Sequence, residues 1–149
     1  MDRTRLGILA VGLATATTAA CTSATAPRAA ASDPPPSFKD DVVPIVYKSC
    51  ALTACHASKQ ADNGFFVAYD PAVVYAAMFK ESVKAPGVKL VVAGNPKASF
   101  LMLKLDGTQG ELGAKCPQGC GASMPQETML DAATRDVFRK WIAAGAKND

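Results

Sequence analysis

Apolar residues recur at helical spacing in four stretches of this chain, separated by proline-marked, extended or glycine-rich segments. The first stretch places Phe38, Val42, Ile45 and Val46 on one face behind Ser37, a possible N-cap, with Asp40 and Asp41 near the positive end of the helix. Pro44 falls inside it and predicts a kink or a restart. The second opens on Asp70-Pro71, a cap followed by a first-turn proline, and carries Val73, Val74, Ala77 and Met78. The third follows the turn Gly94-Asn95-Pro96 and bears Phe100, Leu101, Lys104 and Leu105. The fourth has Asp131 as N-cap and Val137, Phe138, Trp141 and Ile142 along one face. Asp131/Arg135 and Asp136/Lys140 are its i,i+4 pairs, and Gly145 stands at C′. Residues 88–92 are rich in valine and extended, and residues 107–121 hold five glycines and predict loop. The pattern predicts an all-α fold with little sheet and long loops.

Residues 1–37 do not share this pattern. Two arginines precede an uncharged stretch, residues 6–20, and small residues surround Cys21, which together describe a secretory signal. That stretch is shorter than the roughly 20 apolar residues a spanning helix needs, so a permanent membrane helix is not expected. Thr18-Ala19-Ala20-Cys21 resembles a bacterial lipobox, which would leave Cys21 as a lipid-bearing first residue. Ala24-Thr25-Ala26 offers an ordinary cleavage site instead. The favoured organisation is a signal peptide over residues 1–20, an Ala/Ser/Pro-rich tether over 21–37 stiffened by Pro34-Pro35-Pro36, and one folded domain over 38–147. The protein is thus expected outside the cytoplasm, periplasmic or membrane-anchored through a lipid. Removing the signal takes two arginines and one aspartate, so the net charge falls from +3 to +2, too little to imply a nucleic-acid partner.

Without Cys21 the cysteines form two close pairs, Cys50/Cys55 and Cys116/Cys120, and an oxidising compartment favours bonded sulfur at both. The first pair runs into the only histidine as Cys50-Ala51-Leu52-Thr53-Ala54-Cys55-His56, a stretched version of the Cys-x-x-Cys-His signal that attaches c-type haem. A five-residue separation turns about 500° on a regular helix and leaves the two sulfurs about 140° apart, so residues 50–55 must unwind if both are to face one group. The same geometry forbids a disulfide between them on a regular helix, since the Cα atoms would stand more than roughly 7 Å apart.

Met124-Pro125, 68 residues after His56, lies between a glycine-rich loop and the last helix, a position that separates it from Met78, Met102 and Met129, which read as packing residues. A thioether opposite a neutral imidazole gives iron a ligand pair suited to electron transfer and leaves no open position. Cys116-Pro117-Gln118-Gly119-Cys120 has proline and glycine where a tight turn needs them and is a candidate disulfide loop beside the methionine. A four-cysteine zinc knot and disulfides crossing between the pairs are the rival uses. No hydrolase elbow, phosphate loop, zinc-protease motif or second histidine is present, which points away from an enzyme.

In order, Phe38-x3-Val42-x-Pro44-Ile45, Val91-Val92-Ala93-Gly94-Asn95-Pro96-x2-Ser99-Phe100-Leu101, Met124-Pro125 and Trp141-Ile142-x2-Gly145-Ala146 resemble the cytochrome c-like domains of planctomycete type. The likeness spans residues 38–146. It implies a small cytochrome c-like fold whose first and last helices pack across each other. It also implies thioether attachment of one haem c at Cys50 and Cys55, with His56 as proximal and Met124 as distal iron ligand. The chain departs from the family in its four-residue spacer and in the extra Cys116/Cys120 pair. The expected function is a monomeric, monohaem carrier of single electrons to an extracytoplasmic redox protein. The alternative is a haem-free, disulfide-stapled module of the same fold serving in binding or envelope structure.

Overall fold

The computed structural model describes residues 33–58 and 64–149. The proposed signal peptide, Cys21 and residues 21–32 of the tether lie outside the described residues. Four α-helices form there: α1 (Val43–Ser49), α2 (Pro71–Met78), α3 (Phe100–Asp106) and α4 (Ala132–Ala143). Among the described residues there is no strand, only an isolated bridge between Glu81 and Lys89. No helix there is long and apolar enough to cross a membrane.

Pro44 acts as a restart. It lacks an N–H, and the turn before it, Phe38–Val42, closes with wider i,i+5 bonds, Val42 N–H to Ser37 O and Val43 N–H to Phe38 O. The Ser37 side chain caps this turn by accepting from Asp40 N. Phe38 is thereby buried against α4, its ring 5.3 Å from Trp141 and 5.1 Å from Tyr75. Residue 149 closes the same corner: Phe38 N donates to Asp149 Oδ1 at 2.9 Å and Lys39 N donates to Asp149 O at 3.0 Å. The core continues through Val42, Val46, Val74, Met78, Phe138 and Ile142.

Local signals placed the starts of α2 and α4 and the end of α4. The Asp70 side chain accepts from Ala72 N, and that of Asp131 from Thr134 N. Gly145, at φ 102°, lets α4 stop in a Schellman pair, with Gly145 N donating to Ile142 O and Ala146 N to Trp141 O. The Tyr75 hydroxyl and the Trp141 indole N–H then donate to Ala146 O and Lys147 O, tying this cap to the core. Residues 88–92 form no strand: Lys89 takes part in the isolated bridge and Leu90 lies in a bend. Lys89 O and Leu90 O accept from Phe100 N and Leu101 N, satisfying the first N–H groups of α3 in place of a side-chain cap. The Ser99 hydroxyl instead donates to Asn95 O and accepts from Val92 N.

Several expectations are corrected. Neither i,i+4 pair on α4 forms. Asp131 is engaged with Thr134, Asp136 pairs with Arg139, and Arg135 and Arg139 both reach Asp106 of α3, at 2.8 and 2.9 Å. A carboxylate at the end of α3 accepts three bonds from two guanidinium groups, a stronger arrangement than a solvated pair along one helix. Val73 points outward at 44% exposure while Val74, Ala77 and Met78 face the core. Met129 is also 44% exposed, whereas Met78 and Met102 are core residues. The glycine-rich stretch is not all loop, since Gln109–Lys115 forms a 3₁₀ segment kinked at Gly113.

Aromatic burial should outweigh the ion pairs in stability. We predict that Phe38→Ala costs about 3–5 kcal/mol, the range for deleting a buried aromatic ring, and that Asp106→Asn costs about 1 kcal/mol because its partners remain partly hydrated. Denaturant unfolding of both variants checks the order, and equal losses would refute it.

Candidate functional site

Helix α1 ends at Ser49, so Cys50 sits at its C-cap and the spacer to Cys55 is a series of turns rather than helix. Val46 O accepts from both Cys50 N and Ala51 N, and Leu52 O then accepts from both Cys55 N and Ala57 N. This is the unwinding expected if both sulfurs are to face one group. The two thiols are unbonded, Cys50 half-buried and Cys55 exposed. His56 follows on the last of these turns, its ring edge-on to Phe65 at 5.4 Å and its carbonyl accepting from Val67 N at 2.7 Å. Gly64, at φ 84°, permits the close approach that brings Phe65 there: a Cβ at this position would stand 2.5 Å from the Val83 side chain.

From the other side, α3 presents Leu101, Lys104 and Leu105, and the irregular segment after Cys120 presents Met124 and Pro125. Met124 N donates to Lys104 O at 2.9 Å, which anchors the methionine to the helix. Between these walls lies a cavity of about 730 Å³ bordered by Cys50, Cys55, His56 and Met124 together. Its volume falls in the range of roughly 300–1,000 Å³ usual for small-molecule and cofactor sites. Leu52 and Val83 stand at this cavity with 52% and 61% of their surface in water.

Cys116 and Cys120 lie outside this group of four. Their sulfurs are bonded at 1.99 Å, as the turn composition between them suggested, and neither crosses to the other pair. That bond removes two of the four thiolates a zinc knot would need. Among the described residues no cluster of three or more His, Cys, Asp or Glu side chains is placed to hold a metal ion.

Lys104 is the cavity residue whose role the sequence reading missed. Its side chain is almost fully buried beside the Phe100 ring, and its Nζ donates to Cys120 O at 2.9 Å and to Ala122 O. Burial, with Lys84 nearby, lowers its pKa from the ordinary lysine value. One signal was legible: Lys104 is the only charge among the apolar positions of Phe100–Leu105, four residues from Phe100 and so on its face.

Burial of Cys50, with Cys55 nearby, pushes its thiol up to about 11. The folded state therefore keeps this proton after the unfolded chain, at about 8.5, has begun to lose it. The resulting stability is complete below that value and is lost as pH rises through about 11. We predict that in protein without haem iodoacetamide at pH 8 labels Cys55 at least about tenfold faster than Cys50, since the thiolate is the nucleophile. Peptide mass mapping over time reads the two rates, and equal rates would contradict this placement of Cys50. Comparison of the chain with protein-family models, with curated proteins and with solved structures found no match to any of them.

Proposed function

We propose that this protein is an extracytoplasmic monohaem c-type cytochrome, an electron carrier and not an enzyme. The observation that carries the reading is the shared cavity: Cys50, Cys55 and His56 on one wall and Met124 on another, from positions 68 residues apart in the chain between His56 and Met124. The donor set fits the group. Two unbonded thiols are available for thioether bonds, and an imidazole and a thioether supply one nitrogen and one sulfur ligand for iron. When bound, haem supplies a one-electron iron couple whose potential its protein surroundings tune.

The residues then have separate tasks. Cys50 and Cys55 would hold the group covalently. His56, steadied by the edge of Phe65, and Met124, held to α3 through its amide, would supply the iron's nitrogen and sulfur ligands. Apolar side chains such as Met78, Leu101 and Leu105 line the space between and would give the group an apolar surround. When bound, the group would have both of its protein ligands supplied by His56 and Met124, which suits the exchange of single electrons with a redox protein outside the cytoplasm. The export signal and the lipobox-like Cys21 support that location and a lipid anchor, with the chain acting as a monomer.

Coexpression with a haem-attachment system is the direct test. The expected product is red and keeps a haem mass adduct after denaturation, on the peptide containing Cys50 and Cys55. A colourless protein without adduct would reject the cytochrome reading and favour the haem-free, disulfide-stapled module. In the haem-loaded protein, Met124→Ala should abolish the sulfur-to-iron absorption band and lower the reduction potential, while leaving the adduct intact. An unchanged spectrum would remove Met124 from the ligand set.

A further inference from the structure

Residues 116–125 have no regular secondary structure, so their carbonyls find no ladder of their own. Two side chains meet that need. Lys104 Nζ binds Cys120 O at 2.9 Å and also Ala122 O, and Gln109 Nε2 donates to Gly121 O at 3.1 Å. Three successive carbonyls are thus clasped from α3 and the 3₁₀ segment that follows it. The next contact along the segment is Met124 N with Lys104 O, so one helical residue grips positions 120, 122 and 124. A buried ammonium is costly to desolvate unless its donors are bonded, and here the bonds run to the carbonyls of this one segment. The Cys116–Cys120 bond cannot substitute for the lysine, because it closes a loop that ends four residues before Met124.

We propose that Lys104 is a positioning residue for Met124, its ammonium holding residues 120–122 so that the thioether stays on the cavity wall. The ligand role of Met124 rests on the cytochrome reading, whereas the clasp itself does not. Gln109 acts as the second half of the clasp on the middle carbonyl.

The test compares wild type, Lys104→Leu and Lys104→Arg, each coexpressed with the haem-attachment system and also prepared without haem. In the haem-loaded protein, Lys104→Leu should lose most of the sulfur-to-iron band while retaining the mass adduct, and Lys104→Arg, which keeps the charge and the donors, should restore it. Without haem, the amides of residues 122–124 should exchange at least about tenfold faster in Lys104→Leu than in wild type, with α4 unchanged. If Lys104→Leu does not fold, Gln109→Leu should give a smaller effect of the same sign on both readouts. Retention of the band together with unchanged exchange would overturn the proposal. If wild type takes up no haem, the cytochrome reading falls and the exchange rates alone decide whether Lys104 holds the segment.

Discussion

The contact on which this fold depends is Phe38 seated between Tyr75 and Trp141. It joins the start of the folded region to α4 and to α2 at a point where all solvent is excluded from the phenyl ring. The Asp149 bonds to Phe38 N and Lys39 N and the Schellman cap at Gly145 converge on the same corner. Large rings supply most of the buried area here, and in a domain of about 110 residues a few aromatic contacts carry much of the available stabilisation.

That corner leaves the opposite end of α1 free to serve another purpose. The helix is anchored at Val42 and Val46 and stops immediately after Ser49, so Cys50 emerges at a fixed position while the residues beyond it turn. A regular helix through Cys55 would have sent the two sulfurs to different sides. The turns instead bring Cys50, Cys55 and His56 to one cavity, and α3 forms its far wall because Asp106 locks that helix to Arg135 and Arg139 of α4. Met124 is held to that wall by its backbone bond to Lys104 O rather than by an element of its own.

Much of this was legible in the chain, and the reason is distance along it. The caps at Ser37, Asp70 and Asp131 bond N–H groups two or three residues away, and Gly145 acts within its own turn, so residue type and spacing suffice to find them. The Cys116–Cys120 bond and the unwinding between Cys50 and Cys55 are local in the same sense. What escaped was set by partners far away in sequence. Asp106 lies 29 and 33 residues from its arginines, whereas helix-surface spacing pairs Arg135 with Asp131 and Asp136 with Lys140 instead. Val73 and Met129 were assigned to packing because composition gives apolar character without saying which neighbours arrive to cover it.

The sequence by itself determined the caps at Ser37, Asp70, Asp131 and Gly145, that the fold is helical, and that Cys50, Cys55, His56 and Met124 are the residues to watch. Those properties follow from short-range sterics, hydrogen bonding and the chemistry of side chains. Tertiary structure alone decided that these four border one cavity, that Asp106 binds both arginines, and that Lys104 is buried against carbonyls 16 and 18 residues away. A buried polar group must be satisfied by whatever the fold brings within reach, and that choice is made only when distant segments meet.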